Sequence, residues 1–276
     1  VSVSIQVRDL FMRELSQLRY EPIEKRIRGT LGGEPVVDST RAMVVWEPKR
    51  VVPSYAIPVE DIQAELIVQE SVPTDASGID APRLGDIPVL DPSIPFVVHT
   101  AAGESLTIRS GDADYETAAF RPADTALTGY AILDFTAFDA WYEEDEPNLG
   151  HPRDPFHRIE IVHSSRHVRV EVQGAVIAES STPYLLFEPP LPVRYYLPRD
   201  AIRSDLLVPS ETTSFCAYKG QAAYWSVDTK ADIAWSYREP LREASEIIGR
   251  VAFFNEHVDL VVDGTLLQRP VTPWSR

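Results

Sequence analysis

Val36-Val37-Asp38-Ser39 followed by Val44-Val45-Trp46-Glu47-Pro48 decides the fold, because the chain carries it twice. The second version, 141 positions on, is Val176-Ile177-Ala178-Glu179-Ser180 followed by Leu185-Leu186-Phe187-Glu188-Pro189. One residue of slip then sets Tyr55-Ala56-Ile57-Pro58 on Tyr195-Tyr196-Leu197-Pro198, and Ile62 and Leu66 on Ile202 and Leu206. Solenoid units recur every few tens of residues, so a repeat this long is read as a duplicated domain. Further on the match resumes at an offset of 119, with Phe96 on Phe215, Leu106 on Trp225, Ile108 on Val227 and Phe135 on Phe254. The first copy therefore holds an insertion, placed at 71–95, where Pro73, Pro82, Pro88, Pro92 and Pro95 defeat both helix and central strand.

Short apolar runs broken by Pro and Gly predict antiparallel strands throughout. The expected fold is mainly β: two tandem repeats with an N-terminal helix and few other short helices. That helix is placed within 1–19, with Asp9 as N-cap and Leu10, Phe11, Leu15 and Leu18 on one face, packed on the first repeat. The first repeat is expected over 20–146, a linker rich in acidic residues and proline over 147–157, the second repeat over 158–265 and a tail over 266–276. A helix is also expected at 240–249.

The 26 basic and 42 acidic residues give a formal charge of −16. This argues against nucleic acid, which is held through Lys and Arg, and against an anionic membrane surface. It leaves room for a small anionic ligand met by local basic residues. Cys216 is the single cysteine, so an intrachain disulfide and a cysteine zinc cage are both excluded. No run reaches the 18 or so apolar residues of a membrane span, and no leader pattern is visible, so a soluble, cytoplasmic protein is expected. The oligomeric state, monomer or dimer, stays open.

Side chains that carry chemistry crowd into the second copy between Glu188 and Tyr237. Arg194-Tyr195-Tyr196, Cys216-Ala217-Tyr218-Lys219-Gly220, Tyr224-Trp225 and Trp235-Ser236-Tyr237 follow one another there. Aromatic bodies with polar tips suit a concave site that buries and orients a small molecule. Lys219 is a candidate for meeting an anion or, if desolvated, for acting as base or Schiff-base nucleophile. The plain alternative is that these aromatics are strand core with satisfied hydroxyls, and that Cys216 is a small hydrophobe rather than a reactive thiol.

The series Glu188-Pro189, Tyr195-Tyr196-Leu197-Pro198, Cys216-Ala217-Tyr218-Lys219-Gly220, Tyr224, Ala234-Trp235-Ser236-Tyr237 and Val251-Ala252-Phe253-Phe254 resembles the domain of unknown function 427 family. That family is sometimes labelled nucleotidyltransferase-like. The match spans nearly all of copy two, and copy one follows it more weakly, as in two-domain members. The resemblance implies a β-tent-like fold and no established activity.

At the 119 offset, Cys216, Tyr218, Lys219 and Gly220 fall on Val97, His99, Thr100 and Ala101. Copy one thus lacks the Cys-x-Tyr-Lys-Gly group while keeping Glu47, Tyr55 and Pro58. The expected ligand-binding residues are therefore Glu188, Arg194, Tyr195, Tyr196, Tyr218, Lys219, Tyr224, Trp235 and Tyr237, with Lys219 and Cys216 as catalytic candidates. A small-molecule-binding protein, with or without an enzymatic step, is the leading reading. A non-catalytic interaction or scaffold protein using the cleft between repeats is the alternative.

No cofactor is expected. Walker and Rossmann glycine patterns are absent, and Ser110-Gly111-Asp112-Ala113-Asp114, the nearest approach to a Gly-Ser turn with paired carboxylates, reads as a hairpin loop. No metal is expected either, although His151, His157, His163 and His167 crowd the boundary near Glu143, Glu144 and Asp154. They are either ligands for a divalent ion or hydrogen-bonded linker residues.

Overall fold

Alternation of apolar and polar side chains turns most of the chain into short strands. Ile27-Arg28-Gly29-Thr30-Leu31 buries every second residue, and Val168-Arg169-Val170-Glu171-Val172 does the same in the second half. The computed structural model describes residues 4–69 and 80–275, so the 71–79 part of the insertion lies outside the described residues. Two units emerge: Val1–Pro82 with Pro88–Pro155, and Arg83–Ile87 with Phe156–Arg276. Arg83–Ile87, from the proline-rich stretch, thus belongs with the second unit, where Gly85 donates its N–H to the Val271 carbonyl at 2.9 Å.

Each unit is a seven-stranded and a four-stranded antiparallel sheet. In the first, the larger sheet runs Arg19–Pro22, Met43–Trp46, Ser54–Pro58, Tyr130–Leu133, Ala113–Pro122, Gly103–Ser110, Glu65–Val68. In the second it runs Glu160–His163, Tyr184–Phe187, Arg194–Pro198, Arg250–Phe253, Lys230–Tyr237, Gly220–Val227, Leu207–Cys216. The smaller sheets are Glu146–Asn148, Ala140–Glu143, Ile27–Leu31, Glu34–Ser39 and, in matching order, Thr265–Leu266, Asp259–Val262, Val168–Val172, Ala175–Ser180. Strand for strand, the order across both sheets is the same. Gly111-Asp112 closes the hairpin of Gly103–Ser110 with Ala113–Pro122.

Registers refine the equivalences read from sequence. Leu66 faces Ile108 as Leu207 faces Val227, so Leu66 matches Leu207 rather than Leu206. Asp134 donates its N–H to Ala118 as Phe254 does to Ile233, so Phe254 matches Asp134 and not Phe135. The cause of the second is unequal loop length: the hairpin between Ile108 and Tyr115 holds four more residues than that between Val227 and Lys230, and the connection from Phe120 to Ile132 holds five fewer than that from Trp235 to Ala252.

In the second unit one face of the large sheet meets the small sheet through Val168, Val170, Tyr195, Leu197, Trp225 and Val251. The opposite, outer face gathers Leu186, Tyr196, Ala222, Trp235, Tyr237 and Ala252, covered by Ala244 and Ile247. Those two belong to a 3₁₀ segment, Arg242–Ile247, within the 240–249 stretch where a helix is expected. The N-terminal helix is Val7–Arg13, shorter than expected, with Asp9 in its first turn and Gln6 as N-cap. It buries none of its residues; Leu15, in the following 3₁₀ turn, is the buried anchor.

Candidate functional site

Glu188 follows directly on the strand Tyr184–Phe187, and Lys219 ends the turn joining Leu207–Cys216 to Gly220–Val227. That turn is Ala217-Tyr218-Lys219, closed by Gly220 at φ +92° and by the Leu241 N–H, which donates to the Lys219 carbonyl at 3.1 Å. The turn aims Lys219 inward. Its Nζ donates to both Glu188 oxygens, at 2.7 and 2.6 Å, and each residue is only 8% exposed. His157 Nε2 lies 3.1 Å from Glu188 Oε1, and its ring leans on Tyr218 with 4.5 Å between centroids.

Burial alone would raise the Glu188 carboxyl, but the Lys219 ammonium and the His157 contact outweigh it and hold the group below its ordinary range. Burial alone would lower Lys219, and the Glu188 charge reverses this, holding the ammonium above the ordinary lysine range. The geometry thus favours Lys219 as an ammonium paired with the Glu188 carboxylate. Cys216 sits near enough to act on its charge.

Behind this group lies the aromatic wall. Trp235 Nε1–H donates to the Tyr196 hydroxyl at 3.1 Å, with the rings edge to face. Burial raises both Tyr196 and Tyr237 above the ordinary phenol range. Tyr224 stacks parallel to Phe254 and shares a 2.6 Å hydroxyl contact with Ser214.

Two expected ligand residues stand elsewhere. Tyr195 alternates away from Tyr196 into the core between the sheets, as strand periodicity requires. Arg194 is on the outer face but occupied: it pairs bidentately with Glu256 at 2.7 and 2.8 Å, and Thr272 donates to Glu256 at 2.5 Å. The rings of Trp235, Phe254 and Trp274 surround its guanidinium at 5.5, 5.6 and 5.4 Å. Glu256 and Trp274 gave no sequence signal, because their partner lies some sixty residues or more away.

The boundary histidines disperse. His163 meets Tyr184 edge-on, His167 Nε2 lies 3.0 Å from Glu179, and His151 Nδ1 lies 2.8 Å from the Pro152 carbonyl. Among the described residues no three metal-ligating side chains converge.

The first unit answers the same need differently. Glu47, matching Glu188, is buried and lies 2.7 Å from His99 Nδ1 while accepting the N–H groups of Thr100 and Ala101. His99 stacks on Phe120 at 3.9 Å. An imidazole thus replaces the ammonium of Lys219, although the ungapped alignment sets His99 on Tyr218. Strand registers further show that Ala56, Phe120 and Pro122 stand where the second unit has Tyr196, Trp235 and Tyr237.

No curated protein matches the chain. Residues 160–264 match the model of a domain of unknown function, DUF427. These residues span the second unit's strands from Glu160–His163 through Asp259–Val262, including Glu188, Lys219 and the aromatic wall. Residues 160–264, the bulk of the second unit, are therefore similar to the DUF427 domain.

Proposed function

We propose that the second unit binds a small polar molecule on the outer face of its large sheet, at the rim formed by His157, Tyr218, Cys216 and Tyr224 above the Glu188–Lys219 pair. One observation carries this reading: the first unit builds the same topology without Lys219, Tyr196, Trp235 or Tyr237. A buried ion pair brings a desolvation cost that apolar residues avoid, and the fold alone does not demand it. In this reading Lys219 acts as a fixed charge that sets Glu188 and His157, not as a nucleophile.

Native mass spectrometry of freshly purified protein tests the reading. A retained small molecule is expected in the wild type and absent from Glu188→Gln/Lys219→Met, which removes both charges while keeping volume. An equal retained mass in both proteins, or none in either, argues against it. The sealing of Lys219 and Glu188 favours the second reading, a non-catalytic interaction module, which the latter result supports.

A further inference from the structure

The large sheet of the second unit splits at one end. The ladder between Lys230–Tyr237 and Arg250–Phe253 consists of Ala234–Phe253 and Trp235–Ala252 and stops there. A cavity of about 360 Å³ opens past this point between Ser236-Tyr237-Arg238 and Ile248-Gly249, with Arg199 and Trp225 on its wall. Its size falls within the range of small-molecule sites, roughly 300–1,000 Å³.

Two of the guanidinium groups that meet no carboxylate among the described residues line this one cavity. Arg158, Arg166, Arg169, Arg203 and Arg269 each meet a carboxylate within ion-pair distance. Arg199 and Arg238, both exposed, meet none among the described residues. Asp200 and Glu239 adjoin them in sequence, yet neither forms the pair. Acidic residues outnumber basic ones by 42 to 26, so two unneutralised guanidinium groups at one cavity produce a local positive field against the global one. The Arg199 guanidinium lies 4.7 Å from the Trp225 ring centre, which braces the fork and limits its rotamers.

The first unit supplies the control. Its ladder also stops after two pairs, Ala119–Leu133 and Phe120–Ile132. At the places of Arg199, Trp225 and Arg238 it carries Val59, Leu106 and Ala123, while Arg121, at the place of Ser236, is neutralised by Glu104. The split belongs to the fold; the two free arginines belong to the second unit alone.

We infer that this split is an anion site, in which Arg199 and Arg238 clamp the phosphate or carboxylate of a small organic molecule whose apolar body rests on Ile248. Planar guanidinium forks match both anions through paired N–H···O bonds. The site is distinct from the Glu188–Lys219 group and stands independently of the function proposed for it.

The full chain is titrated calorimetrically at low ionic strength with phenyl phosphate and, separately, with benzoate. Binding of at least one probe is expected, and the preference between them tells phosphate from carboxylate. Arg199→Val/Arg238→Ala, which installs the first unit's residues, is expected to weaken that binding by roughly 10-fold or more, the scale of a lost charge-assisted hydrogen bond. Arg238→Ala alone, an exposed change that leaves Trp225 covered, is expected to weaken it in the same direction. Glu188→Gln/Lys219→Met is expected to bind as the wild type does. Failure of the wild type to bind either probe, or undiminished binding by the arginine variants, overturns the inference.

Discussion

At Lys219 the ammonium and the Glu188 carboxylate are each other's solvent. Lys219→Met is expected to destabilise the second unit by about 3–5 kcal/mol, because a buried carboxylate loses its counter-charge. The double change Glu188→Gln/Lys219→Met recovers most of that loss, since no lone charge remains; urea unfolding midpoints read both. The pH dependence has a fixed sign. Glu188 is held below its ordinary value of 4.5 in the folded state, so its stabilisation is full above that value. It is lost as pH falls through the folded-state range toward about 2. An acid unfolding series should show this loss in the wild type and a shallower slope in the double variant. Sequence had singled out Lys219 and Glu188 without pairing them, because their contact spans 31 positions. His157 was visible only as one of four boundary histidines, and Tyr195 was grouped with Tyr196 until strand alternation separated them.

Among the elements, the hairpin turn that aims Lys219 depends on Gly220. Its φ of +92° is strained for any other L residue, and an added Cβ would stand 3.3 Å from the Glu239 carbonyl oxygen. Gly220→Ala is expected to cost about 1–3 kcal/mol. Gly174→Ala supplies the comparison, since Gly174 also has positive φ but open space around its Cβ position. It should cost less, and the difference in urea midpoints isolates the close approach. Strands were legible because alternating burial leaves a period in the sequence; the helix expected at 240–249 is a 3₁₀ segment whose buried residues, Ala244 and Ile247, are three apart, a spacing that α and 3₁₀ geometry share.

Across the whole molecule, two units of one topology carry different chemistry on the same face. Glu47→Ala would strip the acceptor from His99 and from the N–H groups of Thr100 and Ala101. A loss of about 2–4 kcal/mol in the first unit is expected, from buried donors left unmet. Amide exchange should show this loss concentrated in the strands of that unit, with any molecule retained by the second unit unchanged in native mass spectrometry. Loss of that molecule would place part of its binding in the first unit.

The sequence by itself determined the mainly β architecture, the internal repeat and the family resemblance of its second half, since these rest on local periodicity and on motifs that survive in linear order. Only the tertiary structure decided which charges meet. It paired Lys219 with Glu188, enclosed Arg194 with Glu256 and three aromatic rings, gave Glu47 an imidazole, and left Arg199 and Arg238 at the split in the sheet. Ion pairing depends on distances of a few ångströms between residues tens of positions apart, and these distances are fixed by strand register and by the turns that set it.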